Sequence, residues 1–233
     1  MDNRGQPSFD LPRYLATLPL FHELAPAELA RLAEGCTLLR LARGEGVFRV
    51  GEPCEAFHVT VLGQVKLFAV SPAGQEKVIE LIGPGGTFGE ALMFTGQPYI
   101  VSAEAATDAL VLSVAKQAVL AEIAADPRFC LRMLAGVSRR LHGLVRDLEA
   151  NSLHSGAQRV IGYLLRGAGS EQDPGELTVT LPVSKAMVAS LLSLTPEYFS
   201  RVLHDLEAQG LIAIDRRDIR IPQPRRLAQY QLQ

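Results

Sequence analysis

Tryptophan is absent from the 233-residue sequence, and cysteine occurs three times, at Cys36, Cys54 and Cys130. Because this number is odd and the spacing wide, the sequence contains neither a disulfide framework nor a C-x-x-C redox or cluster motif. Runs of about 18 or more apolar residues are also missing, and the first residues lack a secretory pattern. These absences argue against a membrane-spanning helix and predict a cytoplasmic protein without a membrane partner.

A strong charge of either sign is missing as well. The formal net charge is -2, apolar residues make up 48% of the chain and charged residues 21%. This balance is typical of a globular protein, and the length suits two domains. Residues 1–150 carry a small negative excess and residues 151–233 a small positive one. The difference has the sign of a C-terminal nucleic-acid-binding part, but its size identifies no function.

Glycine divides residues 37–114 into short apolar stretches, such as Val47–Gly51, His58–Gly63 and Val65–Val70. Many short strands with Gly and Pro turns are typical of an antiparallel sandwich or jelly roll. Ahead of them, Ala25–Leu32 predicts a short helix. The first half of the chain is therefore predicted to be mainly β.

After Lys116 the apolar spacing changes from two to alternating steps of four and three, which is the seam of a two-stranded coiled coil. The residues predicted to dimerise are Leu134, Val137, Leu141, Leu144 and Leu148. A helix that packs on its own domain is the alternative. Asn151–Gly156 interrupts the pattern and predicts a hinge.

Two short helices joined by a tight turn are predicted near the C-terminus. Ser184 can cap the first helix, Thr195 can cap the second, Pro196 fits its first position, and Gly210 can end it. This is the helix-turn-helix pattern of DNA-binding proteins. Downstream, residues 211–221 predict a β-hairpin with a basic tip that could contact phosphate.

The second helix has one apolar face and one polar face. Its polar side chains suit base edges in the major groove: Arg201 can bond guanine, Glu197 can accept from cytosine, and Ser200 can contact several bases. The residues predicted to contact DNA are Ser184, Lys185, Thr195, Glu197, Tyr198, Ser200 and Arg201. An ordinary solvated helix face is the alternative reading.

Taken in order, these parts resemble the CRP/FNR family of bacterial transcription regulators. The most specific pieces are residues 87–91, TFGEA, and residues 197–201, EYFSR. The resemblance implies an α+β fold with an effector-sensing, cyclic-nucleotide-binding-like β jelly roll at 1–115. It further implies a dimerisation helix at 116–151, a winged helix-turn-helix domain at 152–233, and a homodimer on palindromic double-stranded DNA that acts on RNA polymerase.

Glu197, Ser200 and Arg201 are similar to the FNR type of recognition helix, because serine stands where the CRP type has glycine. The implied site is TTGAT-N4-ATCAA. An effector would set the spacing of the two reading helices to one DNA turn, about 34 Å, through the hinge.

The effector pocket implied by the family comprises Phe88, Gly89, Glu90, Ala91, Ile100 and Val101. Cyclic-nucleotide sensors of this family carry an arginine ten residues after the glutamate, where this chain has Ile100. An apolar residue there leaves a buried phosphate uncompensated, which argues against cyclic AMP. An iron–sulfur cluster is disfavoured because no cysteine precedes Cys36.

Residues 48–53, 74–77 and 90–94 most resemble the Dnr-type regulators of denitrification, which are held to sense nitric oxide through haem. Haem b is therefore the candidate cofactor, since an apolar pocket suits its flat hydrophobic face. The axial ligand stays open between His22 and His142. Ser190 stands where a Dnr-like protein can carry a histidine, and other apolar or anionic effectors remain alternatives.

Two other classes of protein compete with a DNA-binding regulator. One is a cyclic-nucleotide or other small-molecule sensor that regulates a partner protein, against which Ile100 and the polar reading face both argue. The other is an enzyme, but the sequence shows no paired carboxylates, nucleophile–base arrangement or metal-ligand spacing. The chain is predicted not to be an enzyme.

Overall fold

The computed structural model describes residues 10–18, 21, 24–166 and 175–230. The chain forms two compact units. One comprises residues up to 65 together with 82–142, and the other comprises residues 66–81 together with 143–233. The β-hairpin at 66–81 thus belongs by its contacts to the unit that holds the C-terminal helices.

Among the described residues, the first part of the chain begins with two helices, which eight strands follow. The helices are α1 (Leu11–Thr17) and α2 (Pro26–Glu34), and α1 is an addition to the predicted elements. The strands are β1 (Cys36–Leu41), β2 (Gly46–Phe48), β3 (Ala56–Leu62), β4 (Val65–Val70), β5 (Glu76–Ile82), β6 (Thr87–Phe88), β7 (Ser102–Ala105) and β8 (Ala109–Ala115). They form sheets in the orders β1-β8-β3-β6 and β2-β7-β4-β5.

The core of the first sheet lies along β3 and β8, whose antiparallel register joins Phe57 to Val114 and Val59 to Leu112. All four side chains are fully buried. Five consecutive residues of β3 are buried because both faces of this strand are covered. The mainly β sensor part and the α+β class are confirmed.

A short helix, α3 (Glu90–Thr95), lies between β6 and β7. The region predicted as one dimerisation helix, 116–151, contains parts of two further helices. These are α4 (Lys116–Ala125) and α5 (Pro127–Leu153). Asp126 between them is extended, because the ring of Pro127 disfavours helical geometry in the residue before it. The Asp126 carboxylate accepts a hydrogen bond from the Arg128 backbone N–H at 3.0 Å, which caps α5.

The predicted hinge at Asn151–Gly156 is shorter than the sequence indicated. Helix α5 continues to Leu153, and α6 (Gly156–Arg166) begins three residues later. Ser155 and Gln158 cap α6 reciprocally, with backbone-to-side-chain hydrogen bonds of 2.9 Å and 3.3 Å. The break is therefore confined to His154 and Ser155.

The C-terminal part is a winged helix. It contains β9 (Leu177–Thr180), α7 (Lys185–Leu191), α8 (Pro196–Ala208), β10 (Ala213–Asp215), β11 (Asp218–Ile221) and α9 (Pro224–Ala228). The strands form a sheet in the order β10-β11-β9, so the predicted hairpin gains β9 as a third strand. Among the described residues, no helix is both long and apolar enough to cross a membrane.

Candidate DNA-reading surface and sensor region

The ends of α7 and α8 are fixed by local hydrogen bonds. The Ser184 hydroxyl accepts from the Met187 backbone N–H at 3.3 Å, and the Thr195 hydroxyl accepts from the Tyr198 backbone N–H at 3.2 Å. Pro196 occupies the first position of α8, and Gly210 follows the helix with a φ of 64°. All four of these sequence-predicted signals are confirmed.

Helix α8 separates buried and exposed side chains as its periodicity predicts. Phe199, Val202, Leu203 and Leu206 are at most 3% exposed and attach the helix to its domain. Glu197 and Arg201 are exposed on the other side, and Ser200 is half-buried. A helix held by its apolar face thus presents an acceptor, a hydroxyl and a guanidinium side by side.

The wing is a tight antiparallel hairpin in which Ala213 pairs with Arg220 and Asp215 pairs with Asp218. Its tip consists of the exposed Arg216 and Arg217. Arg216 has a φ of 55°, a conformation that the turn imposes on it. The predicted basic tip is therefore present, although both neighbouring aspartates reduce its net charge.

Four of the predicted DNA contacts line one open cleft of about 670 Å³, namely Thr195, Glu197, Tyr198 and Arg201. Gly156 and Arg159 of α6, which were not among the predicted site residues, line the same cleft. The Arg159 guanidinium donates to the backbone carbonyl of Leu192 at 2.6 Å, which ties α6 to the end of α7. The other three predicted contacts, Ser184, Lys185 and Ser200, lie outside the lining of this cleft.

Ser190, the position where a Dnr-like protein can carry a histidine, contacts the hairpin at 66–81. Its hydroxyl accepts from the Val78 backbone N–H at 3.0 Å. The Lys77 ammonium donates to the backbone carbonyls of Ser190 and Leu191. Burial lowers the pKa of Lys77, and the nearby charge of Arg159 adds to the effect. The carbonyl end of α7 is thus held by a lysine, which complements the helix dipole.

The predicted effector residues begin at a tight turn between β6 and α3. Phe88 is fully buried, and Gly89 has a φ of 86°, which glycine adopts without strain. Glu90 is 4% exposed as a residue, and its carboxylate accepts a hydrogen bond from the Thr87 hydroxyl at 3.2 Å. Glu90 is therefore an internal acceptor of this turn.

The second half of the predicted effector set lies on the segment that follows Tyr99. A Cβ at Gly89 would come within 3.4 Å of the Tyr99 ring, so this segment approaches the β6–α3 turn closely. Ile100 is 69% exposed, Ala91 is exposed, and Val101 is half-buried. This chain thus has an exposed apolar side chain at the position where cyclic-nucleotide sensors of the family carry arginine.

A buried polar cluster that was not among the predicted sites lies beneath this turn. Nε2 of His58, on β3, is 3.3 Å from the hydroxyl oxygen of Tyr99, and that hydroxyl donates to the Ala56 carbonyl at 2.8 Å. Rings of Phe48 and Phe88 lie 5.4 Å and 5.2 Å from the His58 ring. Burial lowers the pKa of His58 to about 4, so the imidazole is neutral near neutral pH.

Of the two histidines predicted as axial ligands, one is among the described residues. His142 is exposed on α5, whereas His22 lies outside the described residues. His154 is exposed, and His204 is 73% exposed with Nδ1 at 3.7 Å from the Glu207 carboxylate. Within the described ranges, no three His, Cys, Asp or Glu side chains group as a metal site would require.

The three cysteines are free thiols. Burial raises the pKa of Cys36 to about 11 and also raises the pKa of Cys54. Because thiolates rather than thiols bind metals and clusters, both side chains are poor ligands at neutral pH.

The predicted dimer seam is open to solvent along α5. Four of its five apolar side chains are between 41% and 67% exposed: Leu134, Leu141, Leu144 and Leu148. Val137 is half-buried. Leu131 and Val145 add further exposed apolar surface on the same helix. A contiguous apolar stripe of this kind is typical of a surface that binds a partner.

Comparison with known proteins agrees with both halves of the chain. Residues 38–126 match the cyclic nucleotide-binding domain, and residues 158–230 match the Crp-like helix-turn-helix domain. The chain is 28% identical to the CRP-like cAMP-activated global transcriptional regulator of Mycobacterium tuberculosis, over 92% of this chain and 96% of that protein. It is 30% identical to the cyclic AMP receptor protein of Thermus thermophilus, over 84% of this chain and 88% of that protein.

Among solved structures, DNR from Pseudomonas aeruginosa is similar, with 34% identity, a TM-score of 0.53, and 96% and 98% of the two chains covered. This likeness supports the predicted Dnr-type subgroup. The relatives are transcription regulators, which agrees with the prediction that the chain is not an enzyme. The matches of the two halves to these domain families, and the 30% identity to a cyclic AMP receptor protein over most of both chains, therefore place this chain in the CRP/FNR family of transcription regulators.

Proposed function

We propose that this chain is a homodimeric transcription regulator that binds the palindrome TTGAT-N4-ATCAA. The observation that carries the proposal is the reading face of α8, where Glu197 and Arg201 are exposed while Phe199, Val202 and Leu203 hold the helix in place. A helix fixed in this way can enter the major groove without losing its packing.

Each polar side chain of the reading face has a base that suits it. The Arg201 guanidinium can donate twice, to O6 and N7 of the guanine in the half-site. The Glu197 carboxylate can accept from a cytosine amino group on the complementary strand, and the Ser200 hydroxyl can pack beside a thymine methyl group. These pairings favour TTGAT over half-sites that lack the guanine.

Contacts with phosphate come from other parts of the winged helix. Arg216 and Arg217 at the wing tip are exposed, as is the start of α7 at Ser184. Such contacts orient the domain on the duplex and carry no sequence information. We expect DNA affinity to fall steeply as salt concentration rises, because each neutralised phosphate releases counterions.

Dimerisation follows from the open stripe on α5. Pairing Leu134, Leu141 and Leu148 with a second copy removes their exposed area from water, at about 25 cal/mol per Å² of apolar surface. Two-fold pairing also explains a palindromic site, since half-sites about one DNA turn apart match two reading helices. Regulation of RNA polymerase bound beside the site completes the proposal.

Equilibrium binding to short duplexes tests this function. We expect the wild-type protein to prefer TTGAT-N4-ATCAA to a duplex with scrambled half-sites by about 1000-fold or more. Widening the spacer by five base pairs is the control, because it turns one half-site to the opposite face of the DNA. Equal affinity for all three duplexes would contradict the proposal.

The effector that controls DNA binding is a separate part of the proposal. It is argued from the exposed apolar side chain of Ile100. A nucleotide phosphate finds no counter-charge on that side chain, whereas an apolar ligand can cover it. The Dnr-type resemblance implies haem as such a ligand, with nitric oxide binding to its iron. Two features support this ligand: His142, one of the predicted axial ligands, has an exposed imidazole on α5, and Ile100 has exposed apolar area.

The visible spectrum of the protein reconstituted with haem distinguishes these ligands. We expect a Soret band that differs from free haem and shifts with carbon monoxide or nitric oxide, and that is reduced in His142→Ala. Cyclic AMP, added separately, should leave DNA affinity unchanged. A free-haem spectrum together with cyclic-AMP-dependent DNA binding would reverse the assignment of the signal and leave the DNA-reading proposal intact.

A further inference from the structure

Tyr198 lies in the first turn of α8, where it was predicted to contact DNA. Its side chain is half-buried, and it forms one wall of the cleft that also contains Gly156 and Arg201. The Thr195 hydroxyl accepts a hydrogen bond from the Tyr198 backbone N–H at 3.2 Å, which fixes the backbone that carries the Tyr198 ring. The ring is thus placed by the same hydrogen bond that begins the reading helix.

One contact of the ring is with the reading arginine. The guanidinium carbon of Arg201 lies 4.9 Å from the centroid of the Tyr198 ring. The two residues are three apart, so they are neighbours on the helix surface. A guanidinium over an aromatic face at this distance is a cation–π pair.

The other contact of the ring is with the first residue of α6. A Cβ placed on Gly156 would come 2.5 Å from Cε1 of Tyr198 and 3.0 Å from Cδ2 of Leu194. Real side chains do not approach so closely, so this position accepts the Tyr198 ring because it is glycine. Gly156, the first residue of α6, therefore packs against the Tyr198 ring.

Arginine has several rotatable bonds, and an exposed arginine samples many rotamers before it binds a base. Ordering such a side chain costs conformational entropy. A ring that already selects the stacked rotamers removes part of that cost at the moment of binding.

We infer that Tyr198 is a positioning residue: its ring, supported by Gly156, holds Arg201 in the orientation that reads guanine. This inference rests on the proposed DNA-reading role of α8 and deepens it. The aromatic ring, rather than the phenolic hydroxyl, does the positioning. The start of α6, next to the break at His154 and Ser155, thereby becomes part of the reading surface.

Two substitutions of Tyr198 separate the ring from the hydroxyl. In the full-length protein, Tyr198→Phe keeps the ring, and Tyr198→Leu removes it while keeping apolar bulk. Each variant is measured on the sequence that the wild-type protein enriches from random DNA, and on that sequence with its guanine replaced by adenine. The ratio of the two affinities is the guanine discrimination.

We expect Tyr198→Phe to discriminate as well as wild type, and Tyr198→Leu to lose about two- to fivefold of the discrimination in each half-site. In Tyr198→Leu the loss of guanine discrimination should exceed any loss of non-specific affinity, whereas a general structural defect would lower the affinity for both duplexes equally. In an Arg201→Ala background, Tyr198→Leu should have no further effect on discrimination. Gly156→Ala should reduce discrimination in the same direction as Tyr198→Leu.

Wild-type discrimination in Tyr198→Leu would overturn the inference, as would an equal loss in Tyr198→Phe, because the hydroxyl would then be making the contact. The ring-current shift of the Arg201 side chain, measured by NMR in the free protein, reports the stack without DNA. If the wild-type protein enriches no sequence, the proposed function fails and the positioning role is overturned with it. If the shift is the same in wild type and Tyr198→Leu, the inference alone fails.

Discussion

The imidazole of His58 is held 3.3 Å from the hydroxyl oxygen of Tyr99 in the core of the sensor part. The Tyr99 hydroxyl donates its proton to the Ala56 carbonyl oxygen, at 2.8 Å. Nε2 of His58 is therefore the donor to the Tyr99 hydroxyl oxygen. In this tautomer the ring proton is on Nε2, and Nδ1 is unprotonated. Nδ1 is buried without a hydrogen-bond partner among the described residues.

The stability of the protein should therefore depend on His58 below neutral pH. The pKa of His58 is about 4 in the folded chain and about 6.5 when unfolded, so the unfolded chain binds the extra proton between these values. The contribution of His58 is complete above about pH 6.5 and is lost as the pH falls to about 4. We expect about 2–3 kcal/mol less stability at about pH 4.5 than at about pH 7 from this group.

Urea unfolding followed by circular dichroism measures this difference. His58→Phe removes the titrating group and should flatten the pH dependence by that amount. His204→Gln is the matched control, because His204 is 73% exposed, and it should keep the wild-type dependence. An unchanged pH dependence in His58→Phe would show that the imidazole is not held neutral by burial.

The apolar stripe on α5 should determine the oligomeric state. Leu141 and Leu148 are 59% and 67% exposed in the single chain, and we expect both to be buried between two copies. Replacing both with glutamate places unpaired charges in that interface, which should raise the dimer dissociation constant at least about 100-fold. Sedimentation equilibrium measures the constant, and Leu62→Glu, at a position 61% exposed on β3, is the control. A double variant that dimerises like wild type would remove α5 from the interface.

The hydrogen bond between Ser190 and Val78 should protect one backbone amide from solvent exchange. The Val78 N–H donates to the Ser190 hydroxyl at 3.0 Å, in a half-buried setting. Ser190→Ala leaves this donor without its acceptor, at a cost of about 1–3 kcal/mol. We expect hydrogen exchange at Val78 to accelerate about tenfold or more, with no change in the exposed control Ser138→Ala. Exchange at the wild-type rate in Ser190→Ala would mean that the hairpin is not held by this contact.

Features encoded by neighbouring residues were predictable from the sequence. The caps at Ser184 and Thr195, Pro196 in the first turn of α8, and the left-handed Gly210 each depend on a few adjacent residues. The buried face of α8 follows from its spacing. Each of these signals acts within one or two helical turns, so the chain carries it locally.

Features that depend on distant residues were not predictable. The contact of Gly156 with Tyr198 joins residues 42 positions apart, and the bond of His58 to Tyr99 joins residues 41 apart. The exposure of Ile100 likewise depends on the packing of its neighbours. The break at Asp126 had a local signal in Pro127, which the prediction of one helix over 116–151 did not take into account. His22, one of the two predicted axial ligands, lies outside the described residues.

The most direct test of DNA reading compares the wild-type protein with Arg201→Ala on TTGAT-N4-ATCAA, and on the same duplex with both guanines of the half-sites replaced. Fluorescence anisotropy at fixed salt gives the four affinities. We predict that Arg201→Ala weakens binding to the palindrome by about 1–3 kcal/mol per half-site, and that it no longer distinguishes the two duplexes. Binding of Arg201→Ala to the palindrome with wild-type affinity and wild-type preference for guanine would contradict the account.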